Sequence, residues 1–66
     1  MTYRQLAKTA AGLYELCINA ESNGDNKAAI TLSEALAIVH GAAGALQLAV
    51  SAKQNADRLR KLTSKE

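Results

Sequence analysis

Phenylalanine, tryptophan and proline are absent from this chain, and tyrosine, cysteine, methionine and histidine together supply only five residues. Without proline, nothing forces an early end to a helix. A single cysteine, Cys17, excludes an internal disulfide framework. One His and one Cys fall short of the roughly four ligands that a structural zinc site needs. With metal and disulfide staples both missing, the 66 residues must rely on a small core. A domain of that size buries only about 60 % of its unfolded surface. The chain is therefore expected to be one domain, residues 1–66, that draws stability from another chain.

Catalytic signatures are also scarce. The stretch "HGAAGA" lacks the lysine of a phosphate-binding loop. His40 has no carboxylate spaced to orient it as a general base, so a structural or interfacial role is expected. A histidine there would also make association sensitive to pH. Cys17 falls in a helix seam, where a cysteine behaves as a small buried hydrophobe. No enzyme, no cofactor and no metal site are expected.

What the sequence does contain is helix-forming. Apolar residues make up 48 % of it, mostly Ala and Leu, both strong helix formers. The net charge of +2 is unevenly spread. Residues 1–52 hold three bases against four acids, and residues 53–66 hold five bases (Lys53, Arg58, Arg60, Lys61, Lys65) against two acids. The start "MTYRQLAKTA" has neither the basic opening nor the apolar core of a secretory signal, which favours a cytoplasmic protein. Ala35–Ala52 is nearly uncharged, but its Ala/Gly richness, His40, Gln47 and lack of interfacial aromatics argue against a membrane span.

The periodicity predicts an all-α fold. Tyr3, Leu6, Ala10, Leu13, Cys17 and Ala20 recur at steps of three and four, the rhythm of packed helices. Arg4, Lys8, Glu15 and Asn19 fall opposite, with Thr2 as N-cap. "ESNGDNK" then stops the helix, with Gly24 available for a left-handed turn and Asp25 or Asn26 for a new cap. Leu32, Leu36, Val39, Ala43, Leu46 and Val50 form a second seam. The expected architecture is an antiparallel helical hairpin over about residues 2–22 and 26–62, with 53–66 as a basic helical extension. The two glycines of the His40–Gly44 patch open helix two to a kink or break, and its continuity past Val50 is equally open.

A hairpin leaves one surface unexplained. "EALAIVHGAAGALQLAV" is apolar nearly all round, and opposite the seam run Ile30, Ala37, Gly41, Ala45, Leu48, Ala52 and Leu59, with Ile38 beside them. A helix that is apolar all round is buried all round. This second face is expected to bind a partner, either a second copy in a four-helix bundle or another helical protein. Lys53, Arg58, Arg60 and Lys61 are the candidates for an acidic partner or nucleic acid. The hairpin length and heptad rhythm are similar to those of Rop-type plasmid copy-number regulators, dimeric hairpins that bind RNA, although no motif is shared. Two tyrosines are few for base stacking.

One segment carries a closer resemblance. "LSEALAIVHGAAGAL", Leu32–Leu46, resembles the second helix of the small Yersinia-type co-chaperones of the type III secretion needle subunit, which place Ala-Ile-(Ile/Val)-His before Ala-Gly-x-Leu. Ala37-Ile38-Val39-His40 and Ala43-Gly44-Ala45-Leu46 match that run. The resemblance implies a helical hairpin whose Ile38–Leu48 face holds a second chaperone. It covers about a quarter of the chain, and helix one, the turn and the basic extension do not match.

Overall fold

The computed structural model describes residues 1–64, and it is all-helical. Among the described residues there are three helices rather than two: α1 (Tyr3–Ser22), α2 (Asn26–Ala42) and α3 (Leu46–Thr63). The expected helix over 26–62 is broken at its glycine patch, and the hairpin becomes a helical meander. The basic extension expected over 53–66 is the second half of α3; Lys65 and Glu66 lie outside the described residues.

Local chemistry accounts for each boundary. Thr2 caps α1 by accepting from the Gln5 amide at 3.2 Å, while the Gln5 side chain accepts from the Thr2 amide at 2.8 Å. This reciprocal box satisfies two of the amides a helix start leaves orphaned. The end of α1 turns through Gly24 at φ +75°. There Asp25 N–H donates to Ala20 O at 2.9 Å and Gly24 N–H to Glu21 O at 3.1 Å. Asp25 then caps α2 by accepting from Ala28 N–H.

The second turn repeats the same bonds twenty residues later. Gly44 sits at φ +79°, Ala45 N–H donates to His40 O at 2.8 Å, and Gly44 N–H donates to Gly41 O at 3.1 Å. Both turns are Schellman closures, in which glycine adopts the left-handed conformation without a Cβ penalty. They differ at the next residue. Ala45 has no side chain with which to cap α3.

α2 lies in the middle, with α1 and α3 against its two flanks. α1 and α3 therefore run parallel to each other and antiparallel to α2. Spacing at 3.6 residues per turn puts Ala29, Ser33, Leu36 and His40 on one central stripe of α2. Leu32 and Val39 lie on one flank of it, Ile30 and Ala37 on the other. The second flank also leads to Glu34, which pairs with Arg60 of α3. α3 thus packs where the sequence suggested a second chain. The cover for the apolar segment comes from the same polypeptide, folded back at Gly44.

Two small clusters hold the helices together. Cys17, Ala20, Ala29 and Leu59 form one, flanked by Ala28, Ile30 and Leu32. Ala10, Leu36 and Ala52 form the other, flanked by Leu13, Ala37 and Val39. Each contains residues of all three helices. The Cα trace measures 40 × 20 × 13 Å. Helices at 8–10 Å spacing closed into a triangle would be only about 13–15 Å across. The 20 Å width means that α1 and α3 are splayed apart over α2.

Candidate functional site

The side chains in the core are small, and many of the large ones are outside. The buried apolar residues are five alanines, Cys17, Leu36 and Leu59. Tyr3, Tyr14, Leu16, Ile18, Ile38, Leu46, Leu48, Val50 and Leu62 are all exposed. A monomer gains nothing from leaving so many large apolar groups in water, since each would contribute about 1.5–3 kcal/mol if fully buried.

Several of these groups surround a single groove between α1 and α3, of about 640 Å³. Tyr3, Ala7, Ala11, Tyr14 and Ile18 form the α1 wall, and Leu48, Ser51 and Asn55 form the α3 wall. Ser33, Leu36 and His40 of α2 line the floor. The α1 wall runs for about 22 Å at 1.5 Å per residue, the length of a helix of some fifteen residues. Subtracting the Cα radii of about 2.3 Å from the 20 Å width leaves the α1 and α3 axes roughly 15 Å apart. That separation admits a fourth helix at ordinary packing distance from both walls.

The groove is fastened at one end. The hydroxyl of Ser33, 1 % exposed, lies 3.1 Å from Cys17 Sγ and accepts from the Asn55 amide at 3.0 Å. Asn55 also donates to Glu21 Oε2 at 3.3 Å. Arg58 donates to Glu21 Oε1 at 3.1 Å and to Asn55 Oδ1 at 2.6 Å. This chain of polar contacts ties the end of α1 to the middle of α3 across α2. Among the described residues no buried side-chain N or O lacks a partner. At the other end Tyr3, His40, Ala43 and Leu48 line a mouth with no comparable polar tie among the described residues.

The residues singled out from the sequence are dispersed by this fold. Ala45, Leu48 and Ala52 do line the groove. Ala52 and Leu59, however, are buried within the chain, at 8 % and 2 % exposure. The contacts expected of them with another molecule are made with α1 and α2 instead. Ile30 and Ala37 pack beside those same clusters. Gly41 and Ile38 are exposed, Ile38 at 74 %, on the side of α2 turned away from the groove.

Of the four basic residues, Arg58 is bound to Glu21, and Arg60 is bound to Glu34 and Asp57. The hydrogen bond and charge of Glu34, followed by the charge of Asp57, hold the Arg60 guanidinium above its ordinary pKa despite its exposure. Lys53 and Lys61 are exposed. Both arginines proposed for an acidic partner are therefore engaged within the chain.

Sequence reasoning missed the groove residues Tyr14, Ile18, Ser33 and Asn55. Tyr14 and Ile18 widen the α1 stripe beyond what one neighbour can cover, and that width was the available signal. Nothing in the sequence marks Ser33 and Asn55 as partners, because their pairing exists only once α3 folds back. Among the described residues no cluster of His, Cys, Asp and Glu is placed to hold a metal ion, and no helix is long and apolar enough to cross a membrane. No known protein family matches the chain, and no curated protein or solved structure is significantly similar to it.

Proposed function

We propose that this protein is a non-enzymatic interaction module that receives an amphipathic helix in the groove between α1 and α3. The observation that carries the reading is the inversion of its apolar residues: alanines inside, and tyrosine, isoleucine and leucine lining an open groove. A fourth helix seated there would complete a four-helix bundle, with Tyr14, Ile18 and Leu48 as its main contacts. Those side chains are the size of typical interface anchors, and their burial would supply what the small internal core does not. An adaptor or chaperone role, including that of the secretion co-chaperones, is one use of such a groove. The partner thus sits in the α1–α3 groove and not on the outer face of α2.

The test is a titration of the ¹⁵N-labelled protein with a panel of 18-residue amphipathic helical peptides of differing charge, followed by amide shifts. The expected result is saturable binding by at least one peptide, with shifts at Tyr14, Ile18, Leu48 and Ser51, abolished in Leu48→Asp. Leu48 is exposed in the first turn of α3, where an aspartate suits the helix dipole, so this variant should fold. Shifts confined to Ile38, Leu46 and Val50 would locate the interface on the opposite face and sink the proposal.

A further inference from the structure

The groove constrains its occupant's direction, and the charges of α1 say which helix fits. This inference rests on the groove being a helix-binding site. α1 and α3 are parallel, so both helix N-termini lie at the open end, and neither has an acidic residue in its first turn. A helix that runs antiparallel to both brings its own C-terminal, negative end there.

The charged residues of α1 are segregated along its length. Arg4 and Lys8 occupy the first half, and Glu15 and Glu21 the second. Spacing at 3.6 residues per turn puts Arg4, Lys8 and Glu15 on one strip bordering the groove-facing side, and all three are exposed. This order opposes the helix's own dipole, which favours acids near the N-terminus and bases near the C-terminus. α1 has no acid in its first turn and no base in its last. An arrangement unfavourable within one helix becomes favourable against an antiparallel copy of it, where the basic half of each faces the acidic half of the other.

We infer that the occupant of the groove is α1 of a second copy of this chain. The pairing is antiparallel and two-fold, each α1 seated between the α1 and α3 of the other molecule. Two-fold contact requires a self-complementary surface, and a helix basic in one half and acidic in the other is self-complementary only when antiparallel. The crossing falls near Ala11, in the middle of α1 and on its groove-facing side, where a short side chain lets the helices approach. From there Tyr14 and Ile18 of each molecule enter the other's groove. Glu15 of each meets Arg4 and Lys8 of the other. The α3 rim offers uncharged Gln47, Ser51 and Gln54 along most of the groove, so charge selection falls to α1.

The experiment is sedimentation equilibrium of the full chain and of two charge variants, Arg4→Glu/Lys8→Glu and Glu15→Lys. Circular dichroism confirms that the exposed substitutions leave helicity intact. The wild type should be a dimer, and each variant alone should dissociate at least 10-fold more readily. Mixed in equal amounts, the two variants should form a heterodimer, because one α1 is then acidic and the other basic. Weakened variants that do not recover on mixing would overturn the antiparallel pairing. A dimer unaffected by both variants but dissociated by Leu48→Asp would leave the groove reading standing and overturn the α1 assignment. A dimer indifferent to all three substitutions would overturn both readings. A wild type that stays monomeric at millimolar concentration would remove the second copy, while the peptide titration would still decide the groove.

Discussion

Replacing Leu59 with alanine separates an internal role for the apolar side of α3 from an intermolecular one. Leu59 is 2 % exposed and packs with Cys17 and Ala20 of α1 and Ala29 of α2, so one side chain joins all three helices. Leu59→Ala deletes three carbons. At about 0.8 kcal/mol per buried carbon group the transfer loss is ~2.4 kcal/mol. Any cavity that fails to collapse adds to this, and Leu→Ala changes in cores span about 2–5 kcal/mol. A chain of this length has a total stability of about 3–10 kcal/mol. A loss near 3 kcal/mol would lower Tm by roughly 12–24 °C. The assay is urea unfolding followed at 222 nm, repeated across a hundredfold range of protein concentration to separate folding from association. The expected outcome is a large loss at every concentration. A loss under about 1 kcal/mol, or one seen only in the concentration-dependent part of the transition, would return Leu59 to an outer surface and refute the packing of α3 described above.

The turns offer cleaner changes. Gly44→Ala and Gly24→Ala force a Cβ into φ of +79° and +75° and should each cost about 1–2 kcal/mol in thermal melts, although neither Cβ meets a neighbour. Gly12→Ala should instead stabilise by about 0.8–1 kcal/mol, because Gly12 is mid-helix with open space around its Cβ position; a loss there would mean that something approaches this backbone. Ala45→Asp gives α3 the cap that Asp25 gives α2 and should raise stability by about 0.5–2 kcal/mol, read by the same melts. Asn55→Leu leaves the buried Ser33 hydroxyl with only Cys17 and should cost about 1–3 kcal/mol by urea titration. An unchanged midpoint would show that the polar tie contributes nothing.

Chemistry explains why α1 and the first turn were fully legible in the sequence, while the second turn showed only as a glycine patch open to a kink or break. Thr2, Gln5, Gly24 and Asp25 are residues whose side chains or conformational freedom announce a boundary, and the structure uses each of them for it. At the second turn the closing residue, Gly44, is just as necessary, but it is followed by Ala45, which announces nothing. Glycine inside an alanine-rich run reads equally well as a tolerated helical residue, as Gly41 is here. The seam periodicity also continues smoothly from Val39 to Leu46 and Val50, although those last two side chains are exposed. The candidate interface went astray for the same reason. α3 packs against the apolar second face of α2, and several of the large side chains left exposed then lie on the walls of the groove. Tyr14 and Ile18 sit on those walls because α1 touches α2 along only one edge of its apolar stripe.

The central claim is that a second copy fills the groove. Isotope-filtered NOE spectroscopy on an equal mixture of ¹³C-labelled and unlabelled chains tests it most directly, because only contacts between molecules give signals. The account predicts intermolecular NOEs from the Tyr14 ring to the methyl groups of Ala7, Ala11 and Leu48. Intermolecular NOEs from Ile38, Leu46 and Val50, with none from Tyr14, would contradict it and place the contact on the far side of the α2–α3 pair.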